Sequence, residues 1–366
     1  MRNIYIGPSL APYRLDLCNH LYTDYNFDIY HLFEEGASGT SSDLLFKRAV
    51  FPRRFLFGTK TPGLKGFRQL WRLMRDNRPE MVFSIEFSLI TIYAVLIKHL
   101  LGLKSRIVAM CDDSIDMISG NDFTLAHRIA RKIVPPLVDE VFSSDKEACG
   151  WYRDHFGKGV YFPIIEDEDD FRSRLKESLP VSCDNARKYD LGGKKTILYV
   201  GRLISLKRVE DLIRAYALVK APDNALVIVG DGDQMQMLRN LDSELGTDAI
   251  FTGFLEGSDL LSWYNIADVQ VLPSILEAFG AVVNEALLSG CPSVLSRQCG
   301  AVTIVDPGVT GEIFNAGDIN ALAEKLRLVL DRVPFKDGLR VRESLMGIRF
   351  SDGLDDAISA IMTGKR

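Results

Sequence analysis

The chain has 366 residues, 47% hydrophobic and 25% charged, with a net charge of −5. That length suggests roughly two domains of about 150 residues each and a core large enough to need no disulfide or metal staple. The six cysteines (Cys18, Cys111, Cys149, Cys183, Cys291, Cys299) and five histidines (His20, His31, His99, His127, His155) show no metal-ligand spacing, which argues against a zinc site and fits a reducing compartment.

Residues 1–6 run straight into strand-like sequence without a secretory-leader pattern. Apolar runs at Asn3–Ile6, Phe27–Phe33, Met81–Ile85, Arg106–Met110, Glu140–Phe142 and Val160–Phe162 alternate with helical patterns. Such alternation predicts a parallel sheet covered by helices. Within this half, Leu44–Arg78 holds ten cations (Lys47, Arg48, Arg53, Arg54, Lys60, Lys65, Arg68, Arg72, Arg75, Arg78) and one acid, Asp76. That is +9, leaving −14 elsewhere. Phe46, Phe51, Phe55, Phe57, Phe67 and Trp71 are interleaved. Cations mixed with aromatics suit an anionic membrane face or a lipid-linked acceptor; the other reading is a solvated surface whose aromatics turn inward. Nucleic-acid binding is not expected, because the patch belongs to no such motif and the pI is 5.7. The stretch Met81–Leu101 has an uncharged centre of 11 residues, Phe87–Ile97. A membrane span needs about 20, so a buried strand and helix are expected there.

The acidic run Glu166–Asp170 and the polar stretch after it mark residues 171–192 as a linker. A second strand series follows at Lys195–Val200, Ala225–Val229, Ala249–Thr252, Asp268–Leu272 and Ser293–Leu295. Helices are expected near Arg208–Val219, Gln234–Leu245, Ser258–Ile266, Gly280–Ser289 and Asp318–Leu330. The tail Ser351–Thr363 also reads as a helix. The division is 1–170 for an acceptor-binding lobe, joined by a C-terminal helix at about 350–366, and 193–349 for a donor-binding lobe. Two doubly wound lobes in tandem predict a cleft between them.

Three constellations carry chemistry. In Pro273–Pro292 a strand end is followed by a loop with Glu277 and by a helix opening near Gly280 with Glu285 inside it. A helix mouth offers unpaired N–H groups and partial positive charge, here around Phe279–Ala281, which suits a diphosphate without a metal. Gly280 permits close backbone approach. Glu285 lies about 7 Å further along the axis. The two carboxylates can bind separate sets of hydroxyls; alternatively, Glu277 caps the helix and Glu285 is a surface residue. In Val200–Arg208, Arg202 and Lys207 follow a strand end. They can neutralise a departing diphosphate, or they are solvated cations beside a turn. Gly7 opens the loop after the first strand, where the backbone can approach a ligand or simply turn.

Together these residues resemble the GT-B family of retaining glycosyltransferases labelled GT4. The likeness is strong over Thr196–Leu330 and looser in the first lobe. It implies an α/β fold of two Rossmann-like doubly wound domains facing a cleft. It further implies a nucleotide-sugar donor, UDP- or GDP-linked, with a saccharide acceptor; the Leu44–Arg78 patch adds a polyprenyl-diphosphate-linked acceptor at a membrane face, as in surface polysaccharide synthesis. The protein would work in the cytoplasm, at the inner face of the membrane, without metal or other cofactor. Glu277 and Glu285 match the family's Glu-x7-Glu signature, and Arg202 and Lys207 its diphosphate-holding pair. Catalytic roles fall on Arg202, Lys207 and Glu277. Donor binding falls on Gly7, Phe254, Leu255, Ala278, Phe279, Gly280, Ala281 and Glu285, with Glu285 on the ribose and Gly253–Leu255 at the base. The resemblance implies attack on the same face of the sugar, with the leaving phosphate oxygen taking the acceptor proton.

Two departures stand out: Ala278 where the family commonly has glycine, and Cys111-Asp112-Asp113 where it often has a histidine. Asp112 and Asp113 are read either as partial replacements or as turn and N-cap residues. Rival readings are a nucleotide-sugar epimerase of the same architecture and a non-catalytic sugar-nucleotide binding module. A nicotinamide dehydrogenase is disfavoured, because Gly230-Asp231-Gly232 does not continue into Gly-x-Gly-x-x-Gly.

Overall fold

A computed structural model describes residues 2–33, 42–56, 63–120, 124–334 and 338–364. It divides into two compact units, Met1–Ile164 with Gly353–Arg366, and Ile165–Asp352.

The first unit runs β1 (Asn3–Gly7), α1 (Leu15–Thr23), β2 (Phe27–His31), α2 (Ser42–Arg48), α3 (Gly63–Asn77), β3 (Met81–Ile85), α4 (Leu89–Leu100), β4 (Arg106–Cys111), α5 (Ile115–Gly120), α6 (Leu125–Ile133), β5 (Glu140–Ser143), α7 (Lys146–Phe156) and β6 (Val160–Tyr161). Its parallel sheet has the order β2-β1-β3-β4-β5-β6. Helices begin where a side chain satisfies the orphan amides: Asp145 accepts from the Ala148 amide at 2.6 Å and starts α7. The helix α4 buries Ile90, Ala94 and Ile97 against β3 and β4. No described helix is long and apolar enough to cross a membrane.

The basic segment turns its aromatics inward. Phe46, Phe51 and Phe55 cluster at the end of β2, with Phe46 edge-on to His31 at 5.9 Å and Phe51 stacked on it at 6.1 Å. Burial pushes the His31 imidazole down to about 4. Phe67 and Trp71 pack onto the core beneath α3 and α4. Phe57 and Lys60 lie outside the described residues. Lys65, Arg68, Arg72 and Arg75 form an exposed cationic face on α3, and Lys47, Arg53 and Arg78 are also exposed.

The second unit runs α8 (Glu168–Glu177), α9 (Leu179–Lys188), β7 (Lys195–Val200), α10 (Val209–Val219), β8 (Asn224–Val229), α11 (Met235–Leu245), β9 (Ile250–Gly253), α12 (Gly257–Ile266), β10 (Val269–Leu272), α13 (Ala281–Leu288), β11 (Ser293–Ser296), β12 (Gly311–Phe314) and α14 (Ile319–Arg332). The parallel order is β12-β11-β10-β7-β8-β9. It reverses between β7 and β10, the kind of switch point where open α/β sheets bind ligands beyond their strand ends. A final helix, α15 (Phe350–Thr363), joins the first unit through most of its length, and Tyr25 donates a hydrogen bond to Asp355 on it.

Two features depart from the sequence reading. Residues 171–192 are not a loose linker: α8 and α9 fill most of the stretch and belong to the second unit. The acidic run is a helix start, with Asp167 accepting from the Asp170 amide at 2.9 Å and Glu168, Asp169 and Asp170 in the first turn, where negative charge is favoured. Phe171 and Leu175 are fully buried in the core with Val200, Trp263 and Ile266. β12 was not expected, because Glu312 interrupts its apolar run. That carboxylate is satisfied by Arg332 at 2.8 Å and Lys325 at 3.3 Å.

The seam between α8, α9 and α12 is held by Asn265, whose amide nitrogen reaches the Leu175 carbonyl at 2.9 Å, Ser178 Oγ at 3.0 Å and Ser182 Oγ at 3.1 Å. Asn265→Ala removes these buried bonds and should cost about 2 kcal/mol, roughly 4–8 °C in melting temperature. A thermal melt unchanged from wild type would mean that α8 and α9 are not integral to this unit.

Candidate functional site

Five loops converge at the carboxyl ends of the second sheet. The loop after β7 carries Arg202 and Lys207. It is pinned by the Leu203 amide to the Asp231 carbonyl at 2.9 Å, the Gln234 amide to the Leu203 carbonyl at 3.0 Å, and the Tyr199 hydroxyl to the Arg202 carbonyl at 2.9 Å. The glycines after β8 make this contact possible. A Cβ on Gly230 would stand 1.8 Å from the Gly201 carbonyl oxygen, and one on Gly232 2.3 Å from that of Leu203. Gly230-Asp231-Gly232, no dinucleotide fingerprint, is a close-approach device that seats the Arg202 loop.

The loop after β10 carries Glu277 to Gly280. Its Ile275 amide bonds the Leu206 carbonyl at 3.0 Å, so the β7 and β10 loops meet directly across the switch point. There Lys207 Nζ donates to Glu277 Oε2, and both side chains are largely buried. Glu277 therefore caps no helix. Gly280, at φ 97°, is the N-cap residue of α13 and supplies no capping side chain. The first-turn amides, from Ala281 onward, consequently have no side-chain cap. A Cβ at Gly280 would lie 2.6 Å from Leu272 Cδ2, so its positive φ and its packing both call for glycine. The Phe279 ring is buried, and its carbonyl accepts from Ala301 at 2.7 Å; only its backbone is available to a ligand. Ala278 is backed by the loop after β11, where a Cβ on Gly300 would meet its carbonyl at 2.3 Å. The Arg202 side chain is exposed on the same strand-end face.

Glu285, one turn and more into α13, is no free surface carboxylate. The Tyr264 hydroxyl donates to its Oε2 at 2.5 Å from a fully buried ring on α12. Burial raises the Glu285 carboxyl above its ordinary range, while Tyr264 and the nearby Arg174 pull it down. Arg174 is in turn paired with Glu166 at 2.5 Å. Of the two residues expected at the base, Phe254 presents an exposed ring after β9, whereas Leu255 leans on the hydrophobic core.

In the first unit, Gly7 ends β1, and a Cβ there would press on the Tyr5 ring at 2.9 Å. Asp112 is paired with Arg14. Asp113 accepts from Arg131, from the Tyr152 hydroxyl at 3.3 Å and from the Cys111 thiol at 3.0 Å. Neither is an N-cap, since Ser114 holds the Met117 amide at the head of α5 at 3.3 Å. Sequence reasoning passed over Glu86, whose charge it used only to break an apolar run. The residue sits at φ 43° just after β3, locked by its amide to Met110 at 2.7 Å and by Thr91 Oγ1 to its carbonyl at 2.8 Å. Burial, followed by Asp113 and Asp112, raises its carboxyl. Tyr264 was also missed, as an aromatic inside a helix reads as core. The signal available was a lone carboxylate after a strand in the first case and none in the second.

Two parallel doubly wound sheets with this strand-end constellation define a GT-B fold. Residues 184–339 match the family of glycosyl transferases group 1. An uncharacterized glycosyltransferase of Methanocaldococcus jannaschii is 42% identical over 121 residues, 32% of this chain and 31% of that protein. A GDP-mannose-dependent alpha-mannosyltransferase of Corynebacterium glutamicum is 39% identical over 127 residues, 35% of this chain and 29% of that one. The chain thus spans under a third of the length of these two curated relatives. The apo structure of a lipopolysaccharide outer core galactosyltransferase superposes with a TM-score of 0.69 at 18% identity, over 98% of this chain and 99% of that one.

Tyr264→Phe deletes a single oxygen. Without its donated bond the Glu285 carboxyl rises further and loses the contact that fixes its orientation. Nucleoside-diphosphate affinity should fall about fivefold at pH 7, the worth of roughly 1 kcal/mol, and the deficit should shrink as pH rises. Calorimetric titration showing equal affinity at every pH would detach Tyr264 from Glu285.

Proposed function

We propose that the chain is a retaining glycosyltransferase. It moves a sugar from a UDP- or GDP-linked donor to a saccharide, free or carried on polyprenyl diphosphate, in surface polysaccharide synthesis. The observation that carries this reading is the meeting of Lys207 and Glu277 across the β7/β10 switch point, beside the glycine-capped mouth of α13. The GDP-mannose dependence of the Corynebacterium glutamicum relative supports a nucleotide-sugar donor.

In this reading Glu277 holds hydroxyls of the transferred sugar, and Glu285, oriented by Tyr264, holds the ribose. Phe254 stacks on the base, with Leu255 behind it. Gly7 keeps a backbone position free for a ligand. The bond from the anomeric carbon to the β-phosphate oxygen breaks as the acceptor oxygen bonds that carbon on the same face. The acceptor proton passes to the departing phosphate oxygen. Charge growing on the diphosphate is met by Arg202, Lys207 and the amides of Ala278–Ala281, a preorganised electrostatic cradle. Two cations and a helix mouth supply the positive charge, so the reaction is proposed to need no metal. The exposed cations of α3 fit work at the inner face of a membrane.

Nucleoside diphosphates and nucleotide sugars should raise the melting temperature, by the equivalent of about 2.7 kcal/mol at a hundred times Kd. The base giving the largest rise identifies the donor. Lys207→Ala should cut turnover by about 100-fold or more while shifting the melt by a few degrees only, and EDTA should leave wild-type turnover intact. Unchanged turnover in Lys207→Ala would refute the diphosphate assignment. Epimerised sugar formed from donor alone would favour the epimerase instead.

A further inference from the structure

The helix α6 has two unlike faces. Its inner side sends Arg131, 8% exposed, to Asp113 and Tyr152. Its outer side sets Leu125, Ile129 and Ile133 four residues apart, with Leu137 beyond, all between 49% and 71% exposed. Arg128 and Lys132 stand exposed beside them. The neighbouring helix α4 repeats the pattern: Ile90, Ala94 and Ile97 are buried, while Leu89, Leu96 and Leu100 face out. Lys98 at the end of α4 reaches Asp139, just past α6, at 2.7 Å. On its other flank α4 packs on α3, Tyr93 meeting Phe67 edge-on at 5.3 Å. The outer face of α3 carries Lys65, Arg68, Arg72 and Arg75, with Leu64 exposed at its start. All three helices cover one face of the same sheet, since Leu70, Met74, Ile90, Ile97, Val134 and Val138 share one core cluster with β1, β3 and β4.

Among the described residues, eight of the eleven exposed large apolar side chains of the first unit lie on this face: Leu64, Leu89, Leu96, Leu100, Leu125, Ile129, Ile133 and Leu137. Such concentration marks an interaction surface, whereas scattered exposed leucines do not. Its charge selects the occupant. A second copy seated symmetrically would set Arg68, Arg72, Arg128 and Lys132 against the same cations. A nucleic acid would answer the cations and leave the leucines against phosphate and water. An anionic bilayer answers both, taking aliphatic side chains into the headgroup boundary and cations among the phosphates.

We propose that the outer face of α3, α4 and α6 docks the protein on an anionic lipid bilayer, with the Leu125–Ile129–Ile133 stripe entering the headgroup boundary. Insertion thus moves from the aromatics after α2, which are turned inward, to aliphatic residues that the basic segment does not contain. Through Arg131 and Asp113, the docked helix is tied to the strand end of β4. For its purpose, delivery of a lipid-linked acceptor, the inference rests on the transferase reading; the docking itself does not.

The test is sedimentation of the full chain with vesicles of phosphatidylcholine alone or with about a third phosphatidylglycerol. Binding is expected only to the anionic vesicles, weakening as salt rises from about 0.1 to 0.5 M. The pair Ile129→Ser and Ile133→Ser should lower partitioning at least tenfold at low salt with an unchanged melt, because both side chains are exposed. Arg128→Gln with Lys132→Gln should also weaken it. No binding to anionic vesicles, or wild-type binding by the serine pair, overturns the inference. So does a dimer in light scattering that the serine pair dissolves. Nucleotide-sugar thermal shifts and turnover on a water-soluble acceptor are read separately, so failed docking leaves the transferase reading standing, and lost shifts leave the docking standing.

Discussion

The ion pair between Lys207 and Glu277 is the constraint around which the second unit is organised. Its partners come from the loops after the two strands that flank the reversal of sheet order, which pair with each other in parallel, so it ties those loops together beyond the end of the ladder. An isolated charge in so sheltered a place would be costly. Each partner removes the other's cost while keeping it at the strand ends. The surrounding loops serve this pair. Gly230 and Gly232 let the β8 loop lie against the Arg202 loop, and Gly300 lets the β11 loop back the Glu277 loop.

The first unit follows the same economy with different parts. Asp112 and Asp113, adjacent at the end of β4, are each given an arginine from a different element: Arg14 beside α1 and Arg131 on α6. Among the described residues Glu86 has no arginine partner: half-exposed, with His127 Nε2 at 3.8 Å, it has its carboxyl raised by burial first and then by Asp113 and Asp112. Two of the three acids are therefore fixed as structure, and the third is left with its proton affinity tuned.

Much of this was legible in the sequence where one residue does one job. Strand ends followed by glycine or proline placed the loops, whereas spacing alone left Glu277 and Lys207 open to plainer readings and only the family resemblance gathered them with Gly280. The misreadings have a common cause. The acid run that opens α8 reads as the edge of a linker because its cap, Asp167, looks like any other acid until its amide partner is known. Glu312 hid β12 because Arg332 and Lys325, which neutralise it, are 20 and 13 positions away. Phe46, Phe51 and Phe55 read equally well as membrane anchors or as core, and His31, which gathers them, gives no sign of it in the chain. Tyr264 reads as packing, yet its one polar atom finds Glu285. For Glu312, His31 and Tyr264 the deciding partner is distant in sequence, and for Asp167 it is a backbone amide that carries no sequence signal.

The helices α8 and α9 bear on how this molecule can be divided. The family match begins at residue 184, inside α9, and ends at 339, before Arg342. Arg342 holds the Tyr264 and Ala267 carbonyls at 2.9 and 2.7 Å, and Phe171 and Leu175 fill the core under β7. A fragment cut at the family boundaries would open a hole beneath that strand and strip the clasp from the helix bearing Tyr264. The compact unit is the longer one, Ile165–Asp352, whose flanks are internal scaffolding even though they carry none of the recognisable motif.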